Sequence, residues 1–386
     1  MEFIDSKRFT DGLLHYQTLL THTQDWTTSS WHNIFAKLVT FSPSTTPRDT
    51  SEDLICFVAD SLRCQWTGRD YHSKGLGGSE TYIVEMATHL HRLSGMTVCV
   101  FCRCTEPDTY MGVRYIPIDG FSVFLSQNRI RYCIISRYSE YIPLAYEGRI
   151  DSMFFVVHDT TPSGNVMIVR PEVLKQIFCV SGWHRDHLLS EFPSLRPITS
   201  YLYNGIDPSL FSGPKNKQPF RFIYSSEPVR GLHHVFEMWP SILKRRPDAE
   251  LHVYGKTEKK IVDLPGVFVH GFVDKQTLAR AWSVSDIWLY PCVFLETFCC
   301  TALEAAVSKT LVVTSDYGAL PEIVGDRGIV IRGDPKTAEW KTEALETLFR
   351  SYPYKEYFVE KNYRWGTRIT WENQANEFWD RIRRHE

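Results

Sequence analysis

From Leu54 onward, the chain alternates short apolar runs with amphipathic stretches. In the first half these predict strands over 54–59, 97–102, 131–136, 154–158 and 176–181 and a helix over 79–93. The pattern restarts after residue 220, with strands predicted over 221–226, 249–255, 266–273, 286–291 and 310–315 and helices over 231–246, 275–285 and 301–308. Apolar strands separated by helices are typical of parallel sheets covered on both faces.

Two polar stretches divide the chain. Residues 41–53 are rich in Ser, Thr and Pro, and residues 204–219 contain Pro and Gly. The predicted organisation is an N-terminal extension (1–52), a Rossmann-like domain (53–203), a linker (204–219), a second Rossmann-like domain (220–366) and a C-terminal helix (367–386) able to cross back to the first domain. Ligands of open parallel sheets bind at the carboxyl ends of the strands, so we expect the site in a cleft between the domains.

Composition and charge narrow the class of protein. The length of 386 residues suits two domains of roughly 100–200 residues each. A net charge of −2 lacks the basic excess of a nucleic-acid-binding protein, so no nucleic-acid partner is expected. The chain shows no apolar run near the ~18 residues of a membrane helix and no signal-like start. We therefore expect a cytoplasmic protein, with peripheral membrane contact through the basic end 379–386 left open.

A glycine-rich loop precedes the predicted helix 79–93. Gly75, Gly77 and Gly78 would let backbone approach a ligand, and a helix start attracts anions. The alternatives are an ordinary loop with Ser79 as N-cap, or a nicotinamide site. The second is disfavoured because about 15 residues separate the first strand from the glycines, and Glu80 takes the third glycine position.

Two glutamates bracket the end of one predicted strand and the next helix. Glu296 and Glu304 lie eight positions apart, about 80° out of phase on one continuous helix. Glu296 is therefore assigned to the loop and Glu304 to the helix. Such a pair can hold two parts of one ligand, although a capping and a solvent-exposed glutamate would share this spacing.

With its surroundings, this block resembles the retaining glycosyltransferases of the GT-B fold, in particular the family 4 type. The resemblance rests on the segments 286–306 and 312–328, on YNGID (203–207), on VSGWHRDHLLSEFP (180–193) and on KGLGGSET (74–81). Together these segments cover most of residues 54–330, in an order and spacing shared with the family. The resemblance implies two Rossmann-like domains facing a cleft and transfer of a sugar from a nucleotide diphosphate donor.

It also implies residue roles. Glu304 would bind the nucleotide ribose, Glu296 would lie beside the transferred sugar, and His158 would reach that sugar from the first domain. The donor-binding set implied by the resemblance or by local position is Gly77, Gly78, Ser225, Arg230, Lys256, Thr297, Phe298, Cys299, Thr301 and Glu304. The catalytic set is His158, Arg230 and Glu296.

The phosphate-binding cations depart from the usual family pattern. Arg230 takes the position of the usual lysine, and Ser225 stands where an arginine is common. Arginine can bind phosphate bidentately, so a single arginine can suffice. Lys256, after a predicted strand end, is the candidate second cation.

No metal or cofactor is expected. The chain contains no Asp-x-Asp pair of the kind that holds Mg²⁺ or Mn²⁺ in other sugar transferases. Cys99, Cys102 and Cys104 lack the second pair of a zinc site, so the cysteines are interpreted as reduced, packed thiols.

The acceptor is expected to be a glycan or another hydroxyl compound. The candidate residues that face it are Trp66, Arg69, Tyr71 and His72, for which loop packing is the alternative. We expect a hexose-type sugar from a UDP- or GDP-sugar. The competing interpretations are a sugar-nucleotide epimerase or a phosphorylase of the same fold, and a degenerate scaffold protein. The scaffold interpretation draws on Ser225 and on Ser308-Lys309, where relatives often have Ala-Gly.

Overall fold

The computed structural model describes most of the chain. It covers residues 53–61, 65–73, 75–146, 149–163, 173–255 and 264–385. The expected extension over 1–52 and the candidate Lys256 lie outside these residues.

The first domain is built on an eight-stranded sheet. Its strands are β1 (Leu54–Ala59), β2 (Thr97–Cys102), β3 (Asp108–Tyr110), β4 (Val113–Pro117), β5 (Arg129–Ser136), β6 (Arg149–Val156), β7 (Leu174–Cys179) and β8 (Thr199–Tyr201). They lie in the order β3-β4-β2-β1-β5-β6-β7-β8. Neighbours pair in parallel except β3, which is antiparallel to β4.

The second domain is built on a six-stranded parallel sheet. Its strands are β9 (Gln218–Tyr224), β10 (Glu250–Tyr254), β11 (Val267–Gly271), β12 (Ser285–Tyr290), β13 (Leu311–Ser315) and β14 (Ile329–Ile331). Their order is β11-β10-β9-β12-β13-β14. The prediction of two parallel-sheet α/β domains is confirmed.

Helices cover both sheets. They are α1 (Asp70–Ser73), α2 (Gly78–Ser94), α3 (Phe121–Gln127), α4 (Tyr141–Tyr146), α5 (Gly182–Glu191), α6 (Leu232–Arg245), α7 (Lys275–Val284), α8 (Cys300–Val307), α9 (Leu320–Val324), α10 (Ala338–Ser351), α11 (Lys355–Gly366) and α12 (Trp371–Arg383). Within the described ranges, none combines the length and apolar character needed to cross a membrane.

Burial on both faces explains the continuous apolar runs. Every residue of β1 is buried. Ile55 and Phe57 join the core on one side of the sheet, and Cys56 and Val58 join the core on the other. A central strand enclosed in this way has no position that needs a polar side chain.

The start of α2 differs from the sequence prediction. Gly77, not Ser79, is the N-cap residue, and no side chain caps the helix. Ser79 lies inside the first turn, where its hydroxyl bonds to Glu80 and Arg137 instead. The strands β3, β4, β8 and β14 were not predicted either. Three of them have only 3 residues, and Arg114 interrupts the apolar residues of β4, which therefore lacks a continuous apolar run.

The last helix packs on the first domain. Trp371, Ala375, Phe378 and Ile382 of α12 belong to the same buried core as residues of α2. Beside it, the connection between the domains pairs with the chain as it returns. Ile206 N donates to the carbonyl of Ile369 over 2.9 Å.

A carboxylate of the second domain meets a helix start of the first. Glu322 in α9 accepts hydrogen bonds from Gly182 N at 2.9 Å and Trp183 N at 2.6 Å, at the start of α5. The Tyr203 hydroxyl donates to the same carboxylate over 2.7 Å. Because a helix start favours negative charge, this contact holds the two domains together.

Glu322→Ala is therefore expected to lower the free energy of unfolding by about 2 kcal/mol, because two amides and a hydroxyl lose their acceptor. The apparent Tm should fall by several degrees as a result. Differential scanning calorimetry measures the change. Glu339→Ala is the matched control, since Glu339 is an exposed glutamate in the first turn of α10. An equal loss in both variants would contradict the interdomain role.

Candidate functional site

Arg230 and Glu296 meet where two neighbouring strands of the second sheet end. Arg230 follows β9, and Glu296 lies in the loop after β12. Arg230 Nη1 donates to Glu296 Oε1 over 2.6 Å, and the Tyr290 hydroxyl donates to the same oxygen over 2.6 Å. The guanidinium also lies 4.5 Å from the centre of the Phe294 ring. Glu296 is only 4% exposed, so its charge depends on these partners.

The loop after β13 fixes the backbone of Glu296. Ala319 N donates to the carbonyl of Glu296 over 2.7 Å. Gly318 has a φ of +60°, and a Cβ there would lie 2.4 Å from Glu296 O and 2.5 Å from Glu296 N. Glycine alone meets both the conformational and the steric demand, so this loop positions the carboxylate.

We expect Gly318→Ala to destabilise the protein by about 3 kcal/mol, because backbone strain of about 1 kcal/mol adds to overpacking of about 1–3 kcal/mol. Gly95→Ala is the control: its φ is +68° and its Cβ would meet no atom within 4 Å, so only the strain remains. Urea denaturation compares the two. Equal losses would show that Gly318 does not support Glu296 by close contact.

A strained residue leads into α8. Cys299 has φ 79° and ψ 79°, a left-handed conformation that residues other than glycine seldom adopt. Phe298 is buried against the Tyr203 ring, with 5.5 Å between the ring centres. Backbone strain of this kind is frequent where a loop must present its amides to a ligand.

Thr297 joins the two domains at this point. Its hydroxyl donates to the carbonyl of His158 over 2.9 Å, and its own carbonyl accepts from Ser181 Oγ over 2.6 Å. His158 and Ser181 lie just beyond the ends of β6 and β7. The loop that bears Glu296 therefore touches the first domain beside His158.

His158 is neutral at physiological pH. Burial, together with the positive charge of Arg137 and the nearby His184, lowers its pKa to about 3. The ring Nε2 lies 3.1 Å from Ser136 Oγ. A neutral imidazole of this kind can exchange hydrogen bonds with a sugar hydroxyl without changing its charge.

The glycine loop approaches the second domain at the start of α8. A Cβ on Gly78 would lie 3.8 Å from Cys300 Sγ, and one on Gly75 would lie 1.9 Å from the Phe272 ring. A Cβ on Gly77 would crowd Glu80 at 2.5 Å. Gly78 is thus brought next to the helix that carries Glu304, and Gly75 contacts the second domain at Phe272.

Glu304 lines a pocket between the domains with Tyr71, Lys275 and Cys300. Burial raises the pKa of Glu304 to about 7, with Lys275 opposing the shift. Burial likewise lowers the pKa of Lys275 to about 8. Lys275 Nζ lies 3.3 Å from the centre of the Tyr71 ring. Sequence reasoning missed this lysine, which opens α7 outside any motif.

Three donor-side candidates remain: Ser225, Thr301 and Lys256. Ser225 follows β9, and its buried hydroxyl has no hydrogen-bond partner among the described residues. Thr301, in the first turn of α8, has its hydroxyl 3.5 Å from Ser226 Oγ. Lys256 is outside the described residues.

The four acceptor-side candidates do not form one surface. Trp66 is 1% exposed in the first-domain core, and Arg69 pairs with Asp108 over 2.8 Å at the surface. Tyr71 reaches the pocket of Glu304, and His72 packs edge-on against Tyr71. Packing, the alternative that the sequence left open, accounts for Trp66 and Arg69.

Sequence reasoning also missed Tyr290 and Arg137. Tyr290 ends the buried strand β12 and reads as a core residue, whereas Arg137 follows β5 in no recognised motif. The available signal was position, because both stand at the carboxyl end of a strand. In the part of the chain that the structure describes, no group of three or more His, Cys, Asp or Glu side chains is placed to hold a metal ion.

The sequence is similar to those of known proteins. Residues 221–349 match the family model described as "Glycosyl transferases group 1". Spore coat protein SA of Bacillus subtilis is 22% identical over 326 residues, which cover 70% of this chain and 82% of that protein. An uncharacterized glycosyltransferase of Methanocaldococcus jannaschii is 25% identical over 228 residues, 52% of this chain and 58% of that protein.

Solved structures share the fold. A glycosyltransferase from Rickettsia africae superposes with a TM-score of 0.68 at 14% identity, covering 86% of this chain and 98% of that one. Sucrose-phosphate synthase from Thermosynechococcus elongatus gives 0.65 at 14% identity, with coverage of 86% and 98%. The Anabaena protein HepE in complex with UDP and glucose gives 0.61 at 14% identity, with coverage of 84% and 99%. These matches show that the chain has the GT-B fold of the solved glycosyltransferases and that residues 221–349, in its second domain, are similar to the group 1 glycosyl transferases, which supports a transferase.

Proposed function

We propose that the chain transfers a hexose-type sugar from a UDP- or GDP-sugar to a hydroxyl group of a glycan or glycoconjugate. Transfer retains the anomeric configuration and needs no metal ion. One observation carries the proposal: Glu296 holds the cation Arg230 at the strand ends, in a loop whose next residue bonds to His158 of the other domain. A donor bound in this cleft would touch both domains.

The charge of the site suits departure of a diphosphate. When the bond from the anomeric carbon breaks, negative charge grows on the phosphate oxygen and positive character on the sugar. Arg230, the amides of the glycine loop and the amides at the start of α8 would stabilise that charge. Donors aimed at the leaving group act more strongly on the transition state than on the bound substrate.

The bonding of Glu296 favours a positioning role for this carboxylate. Two hydrogen bonds to Oε1, one of them from a guanidinium, draw electron density from it and weaken it as a nucleophile. We therefore favour displacement on one face of the sugar, in which the acceptor oxygen attacks as the diphosphate leaves and takes up the acceptor proton. Neutral His158 would hydrogen-bond the sugar.

A donor screen followed by a transfer assay tests the proposal. UDP, GDP and ADP are compared by thermal shift. Nucleotide sugars that carry the base of the stabilising diphosphate are then tested as donors, with a panel of alkyl glycosides as acceptors. We expect one diphosphate to raise the apparent Tm, by an amount that grows with the logarithm of its concentration relative to its Kd. Transfer should persist in EDTA, and NMR should find the product linkage with the donor's configuration.

Each part of the proposal can fail separately. An inverted product would exclude retention, and loss of transfer in EDTA that Mg²⁺ or Mn²⁺ restores would exclude metal independence. Stabilisation by none of the nucleotides, with no turnover, would favour a binding or scaffold protein on the same fold.

A further inference from the structure

Arg137 lies at the carboxyl end of a strand in the first domain, as Arg230 lies beyond the end of β9 in the second. It directly follows β5, a central strand between β1 and β6. Its φ of +71° lies in the left-handed region, which a non-glycine residue keeps only where its surroundings enforce it. The backbone thus holds an arginine at the carboxyl edge of the sheet, where ligands of such sheets bind.

The guanidinium of Arg137 bridges a carboxylate and the glycine loop. Nε and Nη2 donate to the two oxygens of Asp159 over 2.6 and 2.9 Å, and Nη1 donates to Ser79 Oγ over 3.3 Å. Ser79 directly follows Gly78, which approaches Cys300 at the start of α8. Arg137 therefore lies one side chain away from the place where the two domains meet.

Arg137 retains capacity for a ligand. Its side chain is 20% exposed, and these bonds use three of the five N–H donors of a guanidinium. Asp159 is 43% exposed, so water screens part of its negative charge. The neighbouring His158 is neutral and does not compete for an anion.

We propose that Arg137 binds the β-phosphate of the donor from the first domain and supplies the second positive charge that Ser225 does not provide. The inference rests on the proposed nucleotide-sugar donor. With a donor in the cleft, Arg230 would approach the diphosphate from the second domain and Arg137 from the first. Arg137 would be a donor-binding residue, and Asp159 would orient its guanidinium.

Calorimetric titration of UDP and UMP, with GDP and GMP in parallel, tests the inference on the full chain. Arg137→Ala should weaken the diphosphate by about tenfold or more and leave the monophosphate within about twofold. Asp159→Asn keeps the shape of the pair but leaves the guanidinium charge uncompensated, so the diphosphate should bind as tightly or more tightly. A bridge with only a structural role predicts that both variants lose affinity alike.

A second arginine–aspartate pair on the same strands is the matched control. Arg129 and Asp151 lie near the amino ends of β5 and β6, away from Arg137 and Asp159, and Arg129 Nε is 2.9 Å from Asp151 Oδ1. Arg129→Ala should leave the affinity gap between diphosphate and monophosphate unchanged. Thermal unfolding without ligand checks that Arg137→Ala folds. If that variant does not fold, Arg137→Lys, which keeps the charge, is measured in its place and should show part of the wild-type gap between diphosphate and monophosphate.

The outcomes separate the two proposals. If the wild-type chain prefers a diphosphate and Arg137→Ala keeps the whole preference, the inference is overturned while the proposed donor class stands. If the wild-type chain prefers neither diphosphate over its monophosphate, the proposed donor class fails, and the role of Arg137 fails with it.

Discussion

Replacement of Arg230 by alanine is expected to lower kcat/KM for sugar transfer by about 10²–10³-fold, the loss typical when one preorganised charge donor is removed. Two effects combine. The leaving diphosphate loses a cation, and the buried carboxylate of Glu296 loses the guanidinium that donates to it over 2.6 Å. Steady-state kinetics with the donor selected by the thermal-shift screen measures the change.

Two further variants locate the effect. Arg230→Lys keeps the charge but not the planar fork, so its activity should fall between those of the wild type and Arg230→Ala. Arg350→Ala removes an exposed arginine of α10 that donates to Thr347, and activity should be unchanged. If Arg230→Ala kept full activity, the charge at the strand ends would have no part in the reaction.

Donor affinity is expected to rise by up to about tenfold between pH 6 and 7.5, because burial raises the pKa of Glu304 to about 7. Ribose hydroxyls donate to the ionised carboxylate, so bound donor favours the charged form. The pyrophosphate of a nucleotide sugar does not titrate in this range. His158 and His184, whose pKa values burial lowers to about 3 and about 4, remain neutral throughout.

Glu304→Gln should bind the donor more weakly and with no dependence on pH over the same range. Measurements stay below the pKa of about 8 of Lys275, since loss of that charge would add a second transition. Glu343→Gln, an exposed glutamate of α10, should keep the wild-type profile. A wild-type profile as flat as that of Glu304→Gln would remove Glu304 from the ribose site.

The same shift has an opposite consequence for the ligand-free protein. An acid whose pKa is raised in the fold ionises first in the unfolded chain. This group therefore makes the folded state less stable as pH rises from about 4.5 to about 7. Donor binding and ligand-free stability should change in opposite directions across this interval.

The central strands could be predicted because burial on both faces requires a continuous apolar run in the sequence. Thr97–Cys102 agrees with its predicted bounds because its apolar run spans the strand. The strand predicted over 154–158 is instead Arg149–Val156, since its first residues lie at the exposed amino end and are polar. Edge strands such as Asp108–Tyr110 have no such apolar run, because one side of the strand faces solvent.

The candidate site divides in the same way. The loop position of Glu296 and the helical position of Glu304 follow from the spacing of the two residues and the end of a strand. No sequence motif marks Lys275, Tyr290 or Arg137, and the only local signal was the strand-end position of the last two. Each was found because the fold brings it to a strand end or to the domain interface.

Two parallel sheets, and a candidate site at their carboxyl ends, could thus be predicted from sequence alone, because periodicity and strand ends are local properties. Tertiary structure decided which groups touch. Arg230 and Glu296 are 66 positions apart, and Gly182 and Glu322 are 140 apart. Contacts over such distances depend on how strands are ordered and domains packed, and no local pattern encodes that order.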